Sequence, residues 1–336
     1  MVQNRDQEGS NSMNSGSLPS GTRLAPVAQP DWPRKIEAWR QLLAQCCRKP
    51  TRKCVHGLRV ATLRLQVELE HGLRERRRDD AAARAARRWN KQGKKLRRAL
   101  QPVREADVFL GKLASLRGAA AVAGKEMPQP ARRLRQIGEL EQRLRKRRQT
   151  AAKKLVAAIK DRRERLERLS KEMEAALGPQ MPWAIGPAEG TISGLISGLV
   201  SEFPELNGEN LHEYRKRIKR LNYLAELLAA ADPQAERLAA VLKKMQVAVG
   251  EWHDWEALAE RAGRVRGKRD TQDGLVELLE TLTAASLEKA LRQCRRSTAR
   301  LLKHDNVNEA SPMASPPKLS VVRVEAPVAE KQRRYA

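Results

Sequence analysis

Two segments of the chain carry the same chemistry-bearing residues at the same spacing. One reads Val55-His56-Gly57-Leu58-Arg59 and reaches Arg64; the other reads Leu211-His212-Glu213-Tyr214-Arg215 and continues through Lys216, Lys219 and Arg220. Each opens with an apolar residue and a histidine, then places Arg three positions later and another Arg eight later. Guanidinium and ammonium groups gathered in this way suit an anion, since Arg offers paired donors to oxyanions and Lys a compact charge. The copies lie 156 residues apart, which makes this a domain-scale duplication rather than a short repeat.

Helical geometry sorts the second copy into two faces. At about 100° per residue, Arg215, Lys216, Lys219, Arg220 and Tyr223 fall within roughly 80° of His212. Ile218, Leu221, Leu224, Ala225 and Leu228 fall on the opposite side, so one face belongs to a core and the other is a cationic stripe. Four cations on one arc repel by roughly tenths of a kcal/mol per neighbouring pair, and a bound anion reverses that sign. In the first copy Leu63 and Val67 take places on the His56 arc, leaving Arg59 and Arg64 as flanking cations. Its half compensates elsewhere: Lys91, Lys94, Lys95, Arg97 and Arg98 follow on the next helix, and Arg145 to Arg148 with Lys153 and Lys154 on a longer one.

A second pair of segments matches without gaps, Leu96 to Val108 against Met245 to Ala257. Lys94-Lys95 then meets Lys243-Lys244, and Glu105 meets Asp254. Each half therefore offers a His-Arg helix and then a Lys-Lys pair ahead of what reads as a carboxylate-bearing turn.

The whole chain is as basic as these segments. Its 336 residues hold 67 Lys and Arg against 40 Asp and Glu, a net +27 that repels itself unless a polyanion is present. Residues 31–180 carry 41 of those cations and 17 acids, a net +24, whereas 1–30 are neutral and 181–304 carry +2. The excess thus sits on a region that folds, not on an arm. Aromatics are 3% of the chain and Arg, Ala, Leu, Lys and Glu dominate, which disfavours sandwiches, barrels and doubly wound sheets.

The elements that must position the cations are helices. Periodicity predicts them from Pro33 through Leu43, from about Val55 to the Arg76–Arg78 cluster, over 80–100 with an interruption at Gly93, and from Pro102 to Gly118. A very long helix spans 131–177. After a linker at 178–190 come a short apolar segment (191–203) and helices near 210–231, 233–249, 252–266 and 273–303. Gly190, Gly194 and Gly198 have the spacing of a close helix–helix approach. The fold expected is all-α: an antiparallel bundle over 31–180 and a second over 191–304. Residues 1–30 and 305–336, rich in Ser, Asn, Gly or Pro, read as a disordered arm and tail.

Other candidate chemistry is weaker. Cys46, Cys47, Cys54 and His56 match no zinc ribbon or finger spacing, and with Cys294 they read as ordinary thiols in a reducing cytoplasm. No stretch nears the ~20 apolar residues that cross a bilayer, and no signal-peptide layout opens the chain. His253-Asp254 is the dipeptide of HD-type phosphohydrolases without the partner His and Asp that chemistry needs, and no Walker lysine loop occurs. A binding protein without cofactor or metal is the expectation, with non-specific DNA or RNA binding as the alternative to any other polyanion.

His56/Arg59/Arg64, His212/Arg215/Lys219/Arg220 with Tyr223, and the segments at 104–107 and 250–254 resemble the CHAD family, the conserved histidine α-helical domain, over roughly 31–304. Leu63 departs from the family's usual basic residue, Gln66 and Asn222 from a common Arg, and Gln101 from a common Gly. The alternating Glu-x-Glu-x-Lys strand of the triphosphate-tunnel (CYTH) domains that often accompany the family does not occur. The resemblance implies two pseudo-twofold-related four-helix-type bundles enclosing one basic central groove or pore. It also implies binding of inorganic polyphosphate, and a cytoplasmic location at polyphosphate granules. The residues assigned to that ligand are His56, Arg59, Arg64, Lys94, Lys95, Arg98, Arg148, His212, Arg215, Lys216, Lys219, Arg220, Lys243 and Lys244. The two histidines, set among cations, should be neutral in the empty protein and take up protons on binding, which would tighten it below about pH 6.5.

Overall fold

The computed structural model describes residues 32–73, 80–123, 130–177, 188–229, 233–266 and 274–309. The expected arm (1–30) lies outside them, as do most of the linker and all of the tail beyond 309. Within them are eight helices and no strand: α1 (Trp32–Arg48), α2 (Arg52–Gly72), α3 (Ala81–Ala123), α4 (Pro130–Leu177), α5 (Ala188–Glu202), α6 (Leu211–Leu228), α7 (Pro233–Arg266) and α8 (Gly274–Glu309). Among these residues no helix is long and apolar enough to cross a membrane.

Local chemistry fixes several boundaries. The Thr51 hydroxyl accepts the Cys54 amide at 3.3 Å and so caps α2, and Asp80 caps α3 by accepting the Ala83 amide at 3.0 Å. Where the structure differs from the periodicity, tertiary packing has overridden a breaker. Pro102 lies inside α3, joining two expected helices into one, although an interior proline forfeits an amide bond at a cost of about 3 kcal/mol. The buried stripe Trp89, Leu96, Leu100, Val103, Phe109 and Leu113 continues on both sides of it and offsets that cost. Gly93 does not interrupt α3; it lets the helix lie against α2, because a Cβ there would meet Thr62 Cγ2 at 3.2 Å. The expected helices at 233–249 and 252–266 are likewise one, α7, running through Gly250. All but the last residue of the segment 191–203 belongs to α5; there a Cβ on Gly194 would meet nothing and one on Gly198 only the Arg217 guanidinium at 3.7 Å, so neither glycine marks a close approach of backbones. At the other end α8 extends to Glu309, five residues into the expected tail.

Three cores hold these helices. One gathers Ile36, Trp39, Leu58, Trp89, Leu155 and Leu166 from α1 to α4, and there the Trp39 indole donates to the Thr62 hydroxyl at 2.9 Å. A second gathers Leu199, Ile218, Leu221, Leu242, Met245 and Cys294 from α5 to α8. The third was not foreseen. Phe109, Leu113, Ile137, Leu140 and Leu144 of α3 and α4 pack with Trp255, Leu258, Leu275 and Leu279 of α7 and α8, so the two halves share buried apolar surface. Cys46, Cys54 and Cys294 are buried free thiols.

Gly250 gives a direct test of this reading of α7. It sits mid-helix, and a Cβ there would meet nothing within 4 Å. Gly250→Ala should therefore stabilise the protein by about 0.5–1 kcal/mol, seen as a higher urea midpoint at unchanged m-value. A lower midpoint would mean that α7 needs the glycine's freedom at this point.

Candidate functional site

Four helices each turn one stripe toward a common cleft of about 670 Å³. From α2 come His56, Arg59, Val60 and Arg64; from α3, Gln101, Arg104, Glu105, Val108 and Phe109. From α6 come Arg215, Lys219 and Tyr223, and from α7 Lys243, Gln246, Gly250, His253, Asp254 and Ala257. Spacings of three and four residues on every helix explain why a single face of each contributes. Six Lys and Arg thus line the cleft against two carboxylates. One of the two, Glu105, is already committed: it accepts from Arg261 at 3.1 Å and lies 3.5 Å from Arg147.

Crowding and burial act on these cations together. Burial and the neighbouring Arg59, Arg215, Arg97 and Arg104 push the Lys219 ammonium down to about 7. Burial, with Arg97, Arg215 and Arg104 alongside, pulls Arg59 down to about 10. Arg215 and Arg104 are lowered chiefly by burial, against the pull of Asp254. His56 is lowered by burial and then by Arg104, Lys219, Lys243 and Arg52, and His253 is held at about 4 by burial, Arg215 and His212. Burial raises Asp254 in spite of Arg104 and Arg215. Burial is the first cause of every shift, and the surrounding cations add to it for Lys219, Arg59 and the two histidines while opposing it for Asp254.

Six of the expected ligand residues meet here: His56, Arg59, Arg64, Arg215, Lys219 and Lys243. The others stand elsewhere. His212 is a row behind, its ring 5.1 Å from that of His253, and burial with Lys216 and Arg215 lowers its pKa. Lys94, Lys95, Arg98 and Lys244 are exposed outside the cleft, and Lys216 pairs with Glu213 at 2.6 Å. Arg148 is used by the fold: its guanidinium binds Asp107 and donates to the Pro50 carbonyl at 2.9 Å, tying α4 to α3 and to the turn before α2. Arg220 reaches across to Glu70, while Arg64 pairs with Glu226 at 2.7 Å and lies 5.5 Å over the Tyr223 ring.

Those last two pairs are reciprocal. Arg64 and Arg220 occupy the same position of the repeat, and so do Glu70 and Glu226, fourteen residues after each histidine. The Arg of α2 binds the Glu of α6, and the Arg of α6 binds the Glu of α2. Both arginines are half or more exposed, so each pair contributes at most about 1 kcal/mol and orients α2 against α6 more than it stabilises them.

Sequence reasoning missed Arg104, His253 and Asp254 as cleft residues, though a signal was present. The gapless alignment sets Arg104 opposite His253 and Glu105 opposite Asp254. These positions lie within α3 and α7, not in turns, which is why they can aim side chains into the cleft. His56 faces the cleft while the Cys54 thiol is buried and donates to the Lys49 and Thr51 carbonyls, so the two do not converge on one point.

Comparison with protein-family models matches residues 33–263 to the CHAD domain. The matched span ends before α8, whose Leu275, Leu279, Ala290 and Cys294 nevertheless sit in the second and third cores. No curated protein and no solved structure matches the chain.

Proposed function

The chain belongs to the CHAD family, and from that premise we propose that its cationic cleft binds inorganic polyphosphate. The observation that carries the reading is the cluster of Arg59, Arg104, Arg215 and Lys219, four cations gathered around a single carboxylate, Asp254. Held together by packing, these groups repel one another in the empty protein, and an oxyanion relieves them. Polyphosphate has one charge per unit and no bases, so it needs cations and no stacking platforms. The two aromatic rings of the cleft, Phe109 and Tyr223, are 2% and 5% exposed and offer little to a nucleobase. The role proposed is binding rather than catalysis, with the protein carried to cytoplasmic polyphosphate granules by the ligand.

The six Lys and Arg are the charged groups facing the ligand, since His56 and His253 are both lowered and neutral at pH 7. With about six phosphate contacts, log affinity should fall against log salt with a slope near −4, taking the single-strand coefficient. Arg59→Gln with Arg215→Gln removes two contacts, which should flatten the slope by about 1.4 and weaken binding about 25-fold at 0.1 M salt. Titration calorimetry with defined-length polyphosphate measures both. Wild-type affinity in this variant would remove the cleft from the function. In cells, the tagged protein should follow polyphosphate bodies and spread evenly where the polymer is not made.

A further inference from the structure

The cleft leaves most of the positive charge unused. Residues 31–180 hold 41 Lys and Arg, and of those among the described residues only Arg59, Arg64 and Arg104 line it. A second concentration lies on α4, which carries eight Lys and Arg and no Asp or Glu from Gln142 to Lys160. Lys146, Lys153 and Lys160 stand seven residues apart, so they form one row about 21 Å long, turning by only roughly 40° around the helix. All three are exposed, and their ammonium groups have no hydrogen-bond or ion-pair partner among the described residues. The opposite side of the same helix is core, with Leu144, Leu155 and Ile159 buried.

An exposed, convex row of unpaired ammonium groups selects its partner by what it lacks. The residues between the lysines on this face, Gln149, Thr150, the half-buried Val156 and Ala157, include no aromatic ring on which single-stranded bases could stack. They include no large apolar side chain to enter a lipid headgroup layer. Two partners need neither: a flexible polyphosphate chain, which the concave cleft serves, and a rigid surface of regularly spaced phosphates bound without reading bases, which a straight row of exposed lysines fits better. We propose that the outer face of α4 binds duplex nucleic acid through its phosphates, separately from the cleft. One molecule then holds a flexible mineral polyanion inside and a duplex outside.

The test uses the full chain, a fluorescent 20-base-pair DNA duplex of arbitrary sequence and anisotropy across a salt series. If each lysine neutralises one phosphate, Lys146→Gln with Lys153→Gln and Lys160→Gln should flatten the salt slope by about 2.7 and weaken binding about 500-fold at 0.1 M salt. The melting temperature should not move, since the three side chains touch no core. The cleft variant Arg59→Gln/Arg215→Gln should bind the duplex as wild type does, while the α4 variant keeps polyphosphate binding. These two variants separate failure of this inference from failure of the cleft reading. No duplex binding by the wild type, undiminished binding by the α4 variant, or a loss that follows the cleft variant would each overturn the proposal. So would loss of binding to phosphatidylglycerol vesicles by the α4 variant with duplex binding intact.

Discussion

At pH 8 polyphosphate binding should take up close to one proton per cleft, and affinity should fall about a hundredfold between pH 6 and pH 9. The group responsible is Lys219, held down to about 7 by burial and by Arg59, Arg215, Arg97 and Arg104. At pH 8 an amine of that pKa is about nine-tenths neutral in the empty cleft. A bound chain of phosphates reverses the local field and returns the ammonium toward its ordinary value, so the proton comes from solvent. Linkage then fixes the sign: binding is tightest where the proton is already present, at and below pH 6, and weakens as pH rises through 7. His56, His212 and His253 are all lowered, so they are neutral at pH 7 and tighten binding further only in more acid solution. The pH at which protons enter is therefore set first by a lysine and only then by the repeated histidines. Calorimetry at pH 8 in two buffers of different ionisation enthalpy counts the protons, and Lys219→Met should abolish the uptake. A wild-type protein that takes up none at pH 8 would show that the ligand does not meet Lys219.

The sequence made Lys219 visible as a member of a stripe but not as the most perturbed member. A helical wheel gives the faces of one helix, and α6 is amphipathic enough for its core face to be read correctly, with Ile218, Leu221, Ala225 and Leu228 buried. It does not give what the opposite face meets. Arg59, Arg97 and Arg104 come from α2 and α3, and their convergence depends on how those helices cross α6. The continuous α3 and α7 were hidden for a related reason. Pro102 and Gly250 are strong local signals of a break, and they are outvoted by apolar residues on both sides, including Phe109, Leu113, Trp255 and Leu258 of the shared third core. That core is invisible to any reading that treats the halves separately. Lys94 and Lys243 show how far a repeat can mislead: they occupy equivalent positions, yet only Lys243 reaches the cleft. Beside Lys94, Gly93 lets α3 lie flush on Thr62 and Gln66 of α2, and Lys94 stays in solvent.

Lys219→Met should make the empty protein more stable by a few kcal/mol at pH 6, with most of that gain gone by pH 10. In the native state the ammonium is depressed from 10.5 to about 7, so between those values the unfolded chain binds more protons than the folded one. Wild-type stability then rises with pH across that window, by at most about 1.4 kcal/mol per pH unit from this group. Below pH 7 the full penalty of a buried, surrounded cation is present; above about 10.5 it has vanished because both states are neutral. Methionine has a similar length and no charge, so it removes the penalty at every pH, and its advantage is largest where the penalty is. Urea unfolding of both proteins at the two pH values isolates the difference from other titrating groups. Destabilisation at pH 6 would mean that the ammonium is satisfied in the empty cleft. The same variant should lose the proton-linked part of polyphosphate binding, and that pairing gives the cluster its physical sense. A fold that only needed to be stable would place a neutral side chain at position 219; one that must grip a polyanion keeps the strained cation and recovers its cost when the ligand arrives.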